Sequence, residues 1–424
     1  MAFLNRGATQ QSSAPFNRRI VLDLIRQHGT LSRKEIVDLV ALSPQTVANI
    51  TNDLEAIGLI AAQRLKGEKL RGQPPIVFEL NPNAGSSVGI SIEPGRVGAA
   101  LVNLVGEVLR RREADVDTHD RRQVLAVMAR LVQELLARPA SGARVWGIGV
   151  ALPGPLVSTD ISFVGPTALE GWTDMSVLDE LRDATRLPVF YSVDSVAGAL
   201  GETLFGVAKS LDNFFYMHLG VGLGGTLVVN RAAYRGSNDN ATEIGHIPVV
   251  PGGRPCYCGN AGCLERYLSL HALDEVLGLE AAPERGAQIV ARLESGGGEG
   301  ERRRAFERWC REAADRLRDA ICIIENMLDP RTIVIGGSAP KALVEHLVAL
   351  AQPLARSVRG GVAGTFERIV LSERQEDSSI LGAAVLPIYE MLAPRLDTLQ
   401  PERQPDAGVA DLLGQRSIAR AGRL

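Results

Sequence analysis

Three of the chain's five cysteines lie in Cys256-Tyr257-Cys258-Gly259-Asn260-Ala261-Gly262-Cys263, shortly after Glu243-Ile244-Gly245-His246. An imidazole and three thiols at this spacing suit one tetrahedral Zn²⁺, which favours sulfur and imidazole nitrogen. Four protein ligands leave no open position, so the expected site is structural, formed by His246, Cys256, Cys258 and Cys263. Gly259 and Gly262 allow the sharp turn that brings Cys258 and Cys263 to one ion. Three clustered thiols without a secretory segment argue against a disulfide, and the alternative is free thiols in a reduced compartment. Cys310 and Cys322 fall on helix-like segments and are expected to be plain buried thiols.

A second set of residues suits DNA. Ser32-Arg33-Lys34-Glu35 has the form of a capping box, and Ser43-Pro44 that of an N-cap followed by proline at the first helical position. The helix this begins turns Val47, Ile50, Leu54 and Ile57 inward and Gln45, Thr46, Asn49 and Asn52 outward. Side-chain amides pair bidentately with adenine in the major groove, and threonine contacts thymine methyl or phosphate. The segment from Arg64 to Pro75, with Arg64, Lys66, Lys69 and Arg71, reads as a basic hairpin wing for phosphate or minor-groove contacts. A three-helix module for protein contacts is the plainer alternative. The complete order of helix, turn, helix and wing favours double-stranded operator DNA.

The metal segment also carries a family likeness. E-x-G-H followed by G-x-x-C-x-C-G-x-x-G-C-x-E, from Gly253 to Glu265, resembles the signature of the ROK family of bacterial sugar repressors and sugar kinases. The resemblance implies a two-lobed α/β body of the actin-like ATPase (ribonuclease H-like) class. It also implies a sugar site at Asp194, Glu243, His246 and Glu265. A winged helix-turn-helix module is similar to that of the repressor branch and is lacking in kinases. His246 also has a second reading, as zinc ligand only.

The family's phosphate turn, D-x-G-G-T, aligns with Ser91-Ile92-Glu93-Pro94-Gly95. Proline lacks the N–H donor and a carboxylate repels polyphosphate, so ATP use is not expected. The second glycine segment, Gly220-Val221-Gly222-Leu223-Gly224-Gly225-Thr226, resembles the other phosphate motif but also suits a tight hairpin, the reading favoured here. Ile335-Gly336-Gly337-Ser338 matches the adenosine-side turn in part. In the sugar region the family's asparagines fall at Val193 and Ala168, and Asp194 alone would serve equally as a helix cap.

The elements holding these groups follow from periodicity. Residues 1–14 are expected to be a disordered start and 15–80 the winged module, with a linker at 81–86. The first lobe is expected over 87–194, completed by a helix at 378–392, and the second over 195–377, with a flexible tail at 396–424. At 424 residues, 45% hydrophobic and with 44 glycines, the chain fits a soluble multi-domain α/β protein. Aromatics at 4% leave few rings for stacking on a carbohydrate, and a net charge of −3 restricts DNA attraction to a local patch. No apolar run reaches membrane-span length and no signal-peptide pattern opens the chain, so a cytoplasmic protein without membrane insertion is expected.

These features together predict a repressor of carbohydrate genes with a non-enzymatic, sugar-sensing body, acting as a homodimer or dimer of dimers. The alternatives are a sugar kinase with an appended DNA-binding module, or a body that meets a protein such as a sugar-transport phosphocarrier.

Overall fold

The computed structural model describes residues 10–64, 75–137, 144–154, 176–279, 300–359 and 367–394, with Gly165, Thr167, Leu169 and Trp172 between them. The wing tip with Lys66, Lys69 and Arg71, the position of Ala168, and the tail all lie outside the described residues.

The amino-terminal module folds as its caps dictate. It comprises α1 (Gln10–His28), β1 (Thr30–Ser32), α2 (Arg33–Leu39), α3 (Pro44–Ala56), β2 (Ile60–Arg64) and β3 (Ile76–Leu80). Ser32 and Glu35 form a reciprocal capping box at α2, and the Ser43 side chain accepts from the Thr46 N–H at the start of α3. Val47, Ile50, Thr51 and Leu54 are buried beneath α3. The strands form an antiparallel sheet in the order β1-β3-β2. Three-residue β1 has no periodicity to announce it; it forms because Leu31 pairs with Phe78.

The body holds two sheets of one design. In the first lobe β4 (Ser86–Glu93), β5 (Arg96–Asn103) and β6 (Val108–Asp115) form an antiparallel meander, with β7 (Val145–Leu152) and β8 (Val189–Val193) added in parallel. Helices α4 (Arg121–Leu136) and α5 (Ser176–Thr185) cover one face. In the second lobe β9 (Phe214–Leu219), β10 (Leu223–Val229) and β11 (Ala232–Ala233) repeat the meander, followed by β12 (Ile333–Gly336) and β13 (Ile369–Leu371). The orders are β6-β5-β4-β7-β8 and β11-β10-β9-β12-β13. This duplicated topology is the actin-like, ribonuclease H-like arrangement.

The remaining helices among the described residues are α6 (Asp194–Phe205), α7 (Leu270–Leu277), α8 (Glu301–Leu328), α9 (Lys341–Leu350) and α10 (Ser378–Leu392). Helix α10 packs on the first-lobe sheet and against α6, as its apolar sequence predicts. Strand β6 carries no apolar alternation: Val108-Leu109-Arg110-Arg111-Arg112-Glu113-Ala114-Asp115 is charged and mostly exposed, as suits a sheet edge.

The segment 81–86 is no loose tether. Ser86 already belongs to β4, and the Asn81 side chain donates to the Gly58 carbonyl at 2.8 Å. One apolar core runs without a break from Val21, Ile25, Val47 and Leu54 of the module to Trp146, Leu200, Leu204 and Ile388 of the body.

Candidate functional site: an acid-lined cleft, a sulfur cluster and an exposed helix

The sulfur cluster assembles where it was expected. Two short 3₁₀ turns, Ile244–His246 and Leu264–Arg266, flank the cysteine segment and are pinned by the Leu264 N–H donating to the Ile247 carbonyl at 3.0 Å. One ligand atom from each of His246, Cys256, Cys258 and Cys263 lies within 4.8 Å of all the others. The His246 Nδ1–Cys256 Sγ and Cys258 Sγ–Cys263 Sγ separations are both 3.6 Å. A tetrahedron with Zn–S bonds near 2.3 Å has edges of about 3.8 Å, whereas a disulfide needs about 2 Å. The donor set and spacing are therefore compatible with a tetrahedral ion.

Gly262 sits at φ +81°, and a Cβ there would fall 1.7 Å from the Val250 carbonyl oxygen, so only glycine closes this loop. Of the two outlying thiols, Cys310 is buried, but Cys322 is only half-buried, with Sγ 3.5 Å from the Arg356 carbonyl. The expectation that both are buried is corrected for Cys322, which sits on the solvent side of α8.

The cleft between the lobes gathers carboxylates. Glu243 precedes the His246 turn and Glu265 follows Cys263 by two residues, so the sulfur cluster fixes both backbones. Glu265 is buried; its Oε2 accepts from the Leu223 N–H at 3.0 Å, while Oε1 has no hydrogen-bond partner. Burial raises the Glu265 carboxyl above its usual range. Burial, then the neighbouring Asp194 and Glu265 carboxylates, push Glu243 up to about 7.

Asp194 opens α6, accepts from the Ser195 N–H at 2.6 Å and lies 3.5 Å from His218 Nε2. His218, a buried residue of β9 whose Nδ1 has no partner, is a cleft residue the sequence did not reveal. Strand alternation in an all-buried run does not say which face meets the cleft. His246 turns Nδ1 toward sulfur, in keeping with its reading as a cluster ligand.

Glu93, expected to repel phosphate, joins this group in the fold. At the end of β4, its side chain lies beside Ser338 of the other lobe; burial, outweighing the opposing pull of His218, raises its carboxyl. The aligned phosphate turn is thus filled by a carboxyl group facing Asp194 and His218. In the second glycine segment, the Gly220 N–H bonds to the Gly222 carbonyl at 3.0 Å. The carbonyls of Gly220 and Val221 accept from Leu270 and His271 at the start of α7, at 2.8 and 3.2 Å. This segment is a hairpin turn in the structure. A cavity of about 520 Å³ also reaches Glu243; its wall sets Phe215, Ile324 and Met327 against Ser237, Asn238, Asn240 and Thr242.

On the module, Gln45 and Asn49 lie exposed one turn apart, with Gln45 Nε2 donating to Asn49 Oδ1 at 3.0 Å. Thr46 is half-buried, its hydroxyl 2.8 Å from that of Ser43. Asn52 differs: its Oδ1 accepts from Arg33 Nη2 at 2.6 Å, tying it to α2. Arg64, at the end of β2, is exposed.

Comparison with known proteins agrees with this anatomy. Residues 87–389 match the ROK family and residues 16–61 match a winged helix-turn-helix DNA-binding family. The chain is 26% identical over 395 residues to a putative xylose repressor of Caldicellulosiruptor sp. (strain Rt8B.4), covering 89% of this chain and 96% of that one. It is 29% identical over 285 residues to a glucokinase of Halalkalibacterium halodurans, covering 63% of this chain and 86% of the enzyme. Among solved structures, a ROK family transcriptional regulator described as a homolog of the E. coli MLC protein superposes with a TM-score of 0.66. It shares 26% identity, covering 89% of this chain and 96% of that chain.

Proposed function

We propose, from the premise that this chain belongs to the ROK family, that it is a DNA-binding transcriptional repressor of carbohydrate genes whose body senses a sugar without phosphorylating it. The observation that carries this reading is the pairing of a winged module with a cleft that keeps sugar-type carboxylates but fills the phosphate turn. A buried, unpartnered Glu265 Oε1 calls for a hydroxyl donor, since leaving a buried acceptor unmet costs about 1–3 kcal/mol. Polyphosphate gains nothing from a site ringed by Glu93, Asp194, Glu243 and Glu265.

In this reading Asp194, Glu243 and Glu265 contact the effector, and His246 shapes the site through the cluster. Zn²⁺ is the ion proposed for His246, Cys256, Cys258 and Cys263, with a structural role and one ion per chain. Removing a ligand by Cys258→Ser is expected to abolish stoichiometric zinc in metal analysis; full occupancy in that variant would overturn the assignment. Chains act in the cytoplasm as two-fold pairs, because two recognition helices on a pseudo-palindrome supply the selectivity that one module lacks.

The test is operator binding with purified protein, on DNA selected from its own genome, titrated with D-xylose, D-glucose and their phosphates. Release by one of these supports the reading, and indifference to all of them favours a protein effector. Gln45, Thr46 and Asn49 read bases, and Arg64 with the wing cations holds phosphate. Asn49→Ala is expected to cost roughly 1–3 kcal/mol on the operator and little on random DNA. Asn52→Ala has a smaller effect, because that amide is committed to Arg33.

A further inference from the structure

Helix α6 has one end in the cleft and the other against the DNA-binding module. Its first residue is Asp194, and its 12 residues span about 18 Å at 1.5 Å each. A helix leaves its last carbonyls without intrahelical donors. Here two of them, on Thr203 and Leu204, are taken by arginines. Arg26 of α1 donates through Nη1 to the Leu204 and Thr203 carbonyls, and Arg231 Nη2 donates to Thr203 at 3.1 Å.

Arg26 is itself held by Asp23, through Nε at 2.9 Å and Nη2 at 2.6 Å. The other Asp23 oxygen accepts from Gln27 at 2.6 Å and lies 3.7 Å from Arg231 Nε. The Arg26 and Asp23 side chains are 7% and 10% exposed, so solvent scarcely screens the joint.

A second grip lies beside the first. Arg19 Nε donates to the Met391 carbonyl at 3.2 Å, in the last turn of α10. Helices α6 and α10 touch backbone to backbone: a Cβ on Gly382 would meet the Ala197 carbonyl carbon and oxygen at 2.4 Å. The two helices are closely packed, and their carboxy-terminal ends both meet α1. From α1 the contact continues to the recognition helix, where Arg18 reaches Asp53 Oδ2 through Nη2 at 2.7 Å and Nε at 3.2 Å.

We propose that α6 is a lever that carries a ligand's effect from Asp194 to the recognition helix, with Arg26 as the coupling joint and segment 81–86 as a fixed pivot. The proposal rests on the reading of the cleft as the effector site. A hydroxyl engaging Asp194 competes with its contacts to the Ser195 N–H and His218, which shifts the first turn of α6. The closely packed α6–α10 pair then delivers that shift at Leu204 and Met391, where α1 tilts and re-aims α3. The Asp23–Arg26–Arg231 network is a positioning device; it touches neither ligand nor DNA.

Hydrogen–deuterium exchange on the full chain tests this without sugar or operator. Wild type, Asp194→Asn, Arg26→Met and the double variant form a cycle read at the amides of α1. Asp194→Asn is expected to change α1 protection on the order of 2- to 30-fold in the wild-type background and to leave it unchanged in Arg26→Met. An α1 indifferent to Asp194→Asn overturns the lever, as does an equal change in both backgrounds. If Arg26→Met frees α1 altogether, the cycle is repeated with Arg26→Lys, which keeps the charge beside Asp23 but loses the fork. Reduced transmission there supports the joint, and full transmission refutes it. A thermal-shift titration with D-xylose and D-glucose separates the two readings. Sugar binding that needs Asp194, with no exchange coupling, removes the lever alone; coupling without sugar binding removes the sensor reading alone.

Discussion

The β4–β5 turn and the β9–β10 turn occupy the same place in two sheets of the same order, yet they do opposite things. In the first, Glu93 pairs with Arg96 across a Pro94-Gly95 turn whose Gly95 N–H is engaged by the Thr118 hydroxyl at 3.1 Å. In the second, Leu219 pairs with Leu223 across a glycine turn, and the Leu223 N–H holds Glu265. One turn projects a carboxyl into the cleft; the other receives one. A duplicated scaffold that can place phosphate-binding turns in each lobe has here placed acids in both. Topology alone therefore does not decide between kinase and sensor, and a few side chains at turn tips do.

The largest expected effect tests the β4–β5 turn. Purified protein is expected to turn over ATP with D-glucose or D-xylose at least about a thousandfold below the 1–10³ per second common among enzymes. A coupled assay showing ordinary turnover would mean that Glu93 and Pro94 do not block the phosphate site. The β9–β10 turn gives the next effect. Removing the Glu265 acceptor as Glu265→Ala is expected to weaken sugar binding by about 10- to 150-fold, the range for a lost charge-assisted hydrogen bond. Calorimetric affinity equal to wild type would show that the orphaned Oε1 faces no ligand.

The third effect is read in stability and concerns Glu243. Burial and the Asp194 and Glu265 carboxylates hold Glu243 near 7 in the folded chain, against 4.5 for a free side chain. Below the lower value the group is protonated in both states and contributes no difference. As pH rises from 4.5 toward 7 the unfolded chain ionises first, so stability falls, by up to about 3 kcal/mol above 7. Glu243→Gln is expected to flatten denaturant midpoints across that window. An unchanged pH slope would place the Glu243 carboxyl in solvent.

Much of this architecture could be read from residue order, for local reasons. Ser32 with Glu35, Ser43 before Pro44, and the histidine and cysteines around Gly259 and Gly262 each act within a few residues, so spacing alone exposes them. The groups that residue order leaves hidden act across the fold. His218 lies in the unbroken apolar run of β9, and its role depends on Asp194 reaching it from α6. Glu93 is legible as a carboxylate in the phosphate turn, but its grouping with Asp194 and His218 needs the fold. Strand β6 stays hidden because its charges suit a solvated edge as well as a loop. Asn52 looks like its neighbour Asn49 until Arg33 arrives from another helix.

The apolar core shared by α1 and the body bears on modular engineering. A chain cut near residue 80 would bare Leu104, Leu204, Ile388 and Leu392 on one piece and Leu22, beside Asp23 and Arg26, on the other. Neither half is then a self-sufficient cassette, and grafting the module onto a foreign sensor would require transplanting that seam as well. Heat is expected to melt the module and the first lobe together, in a single calorimetric transition.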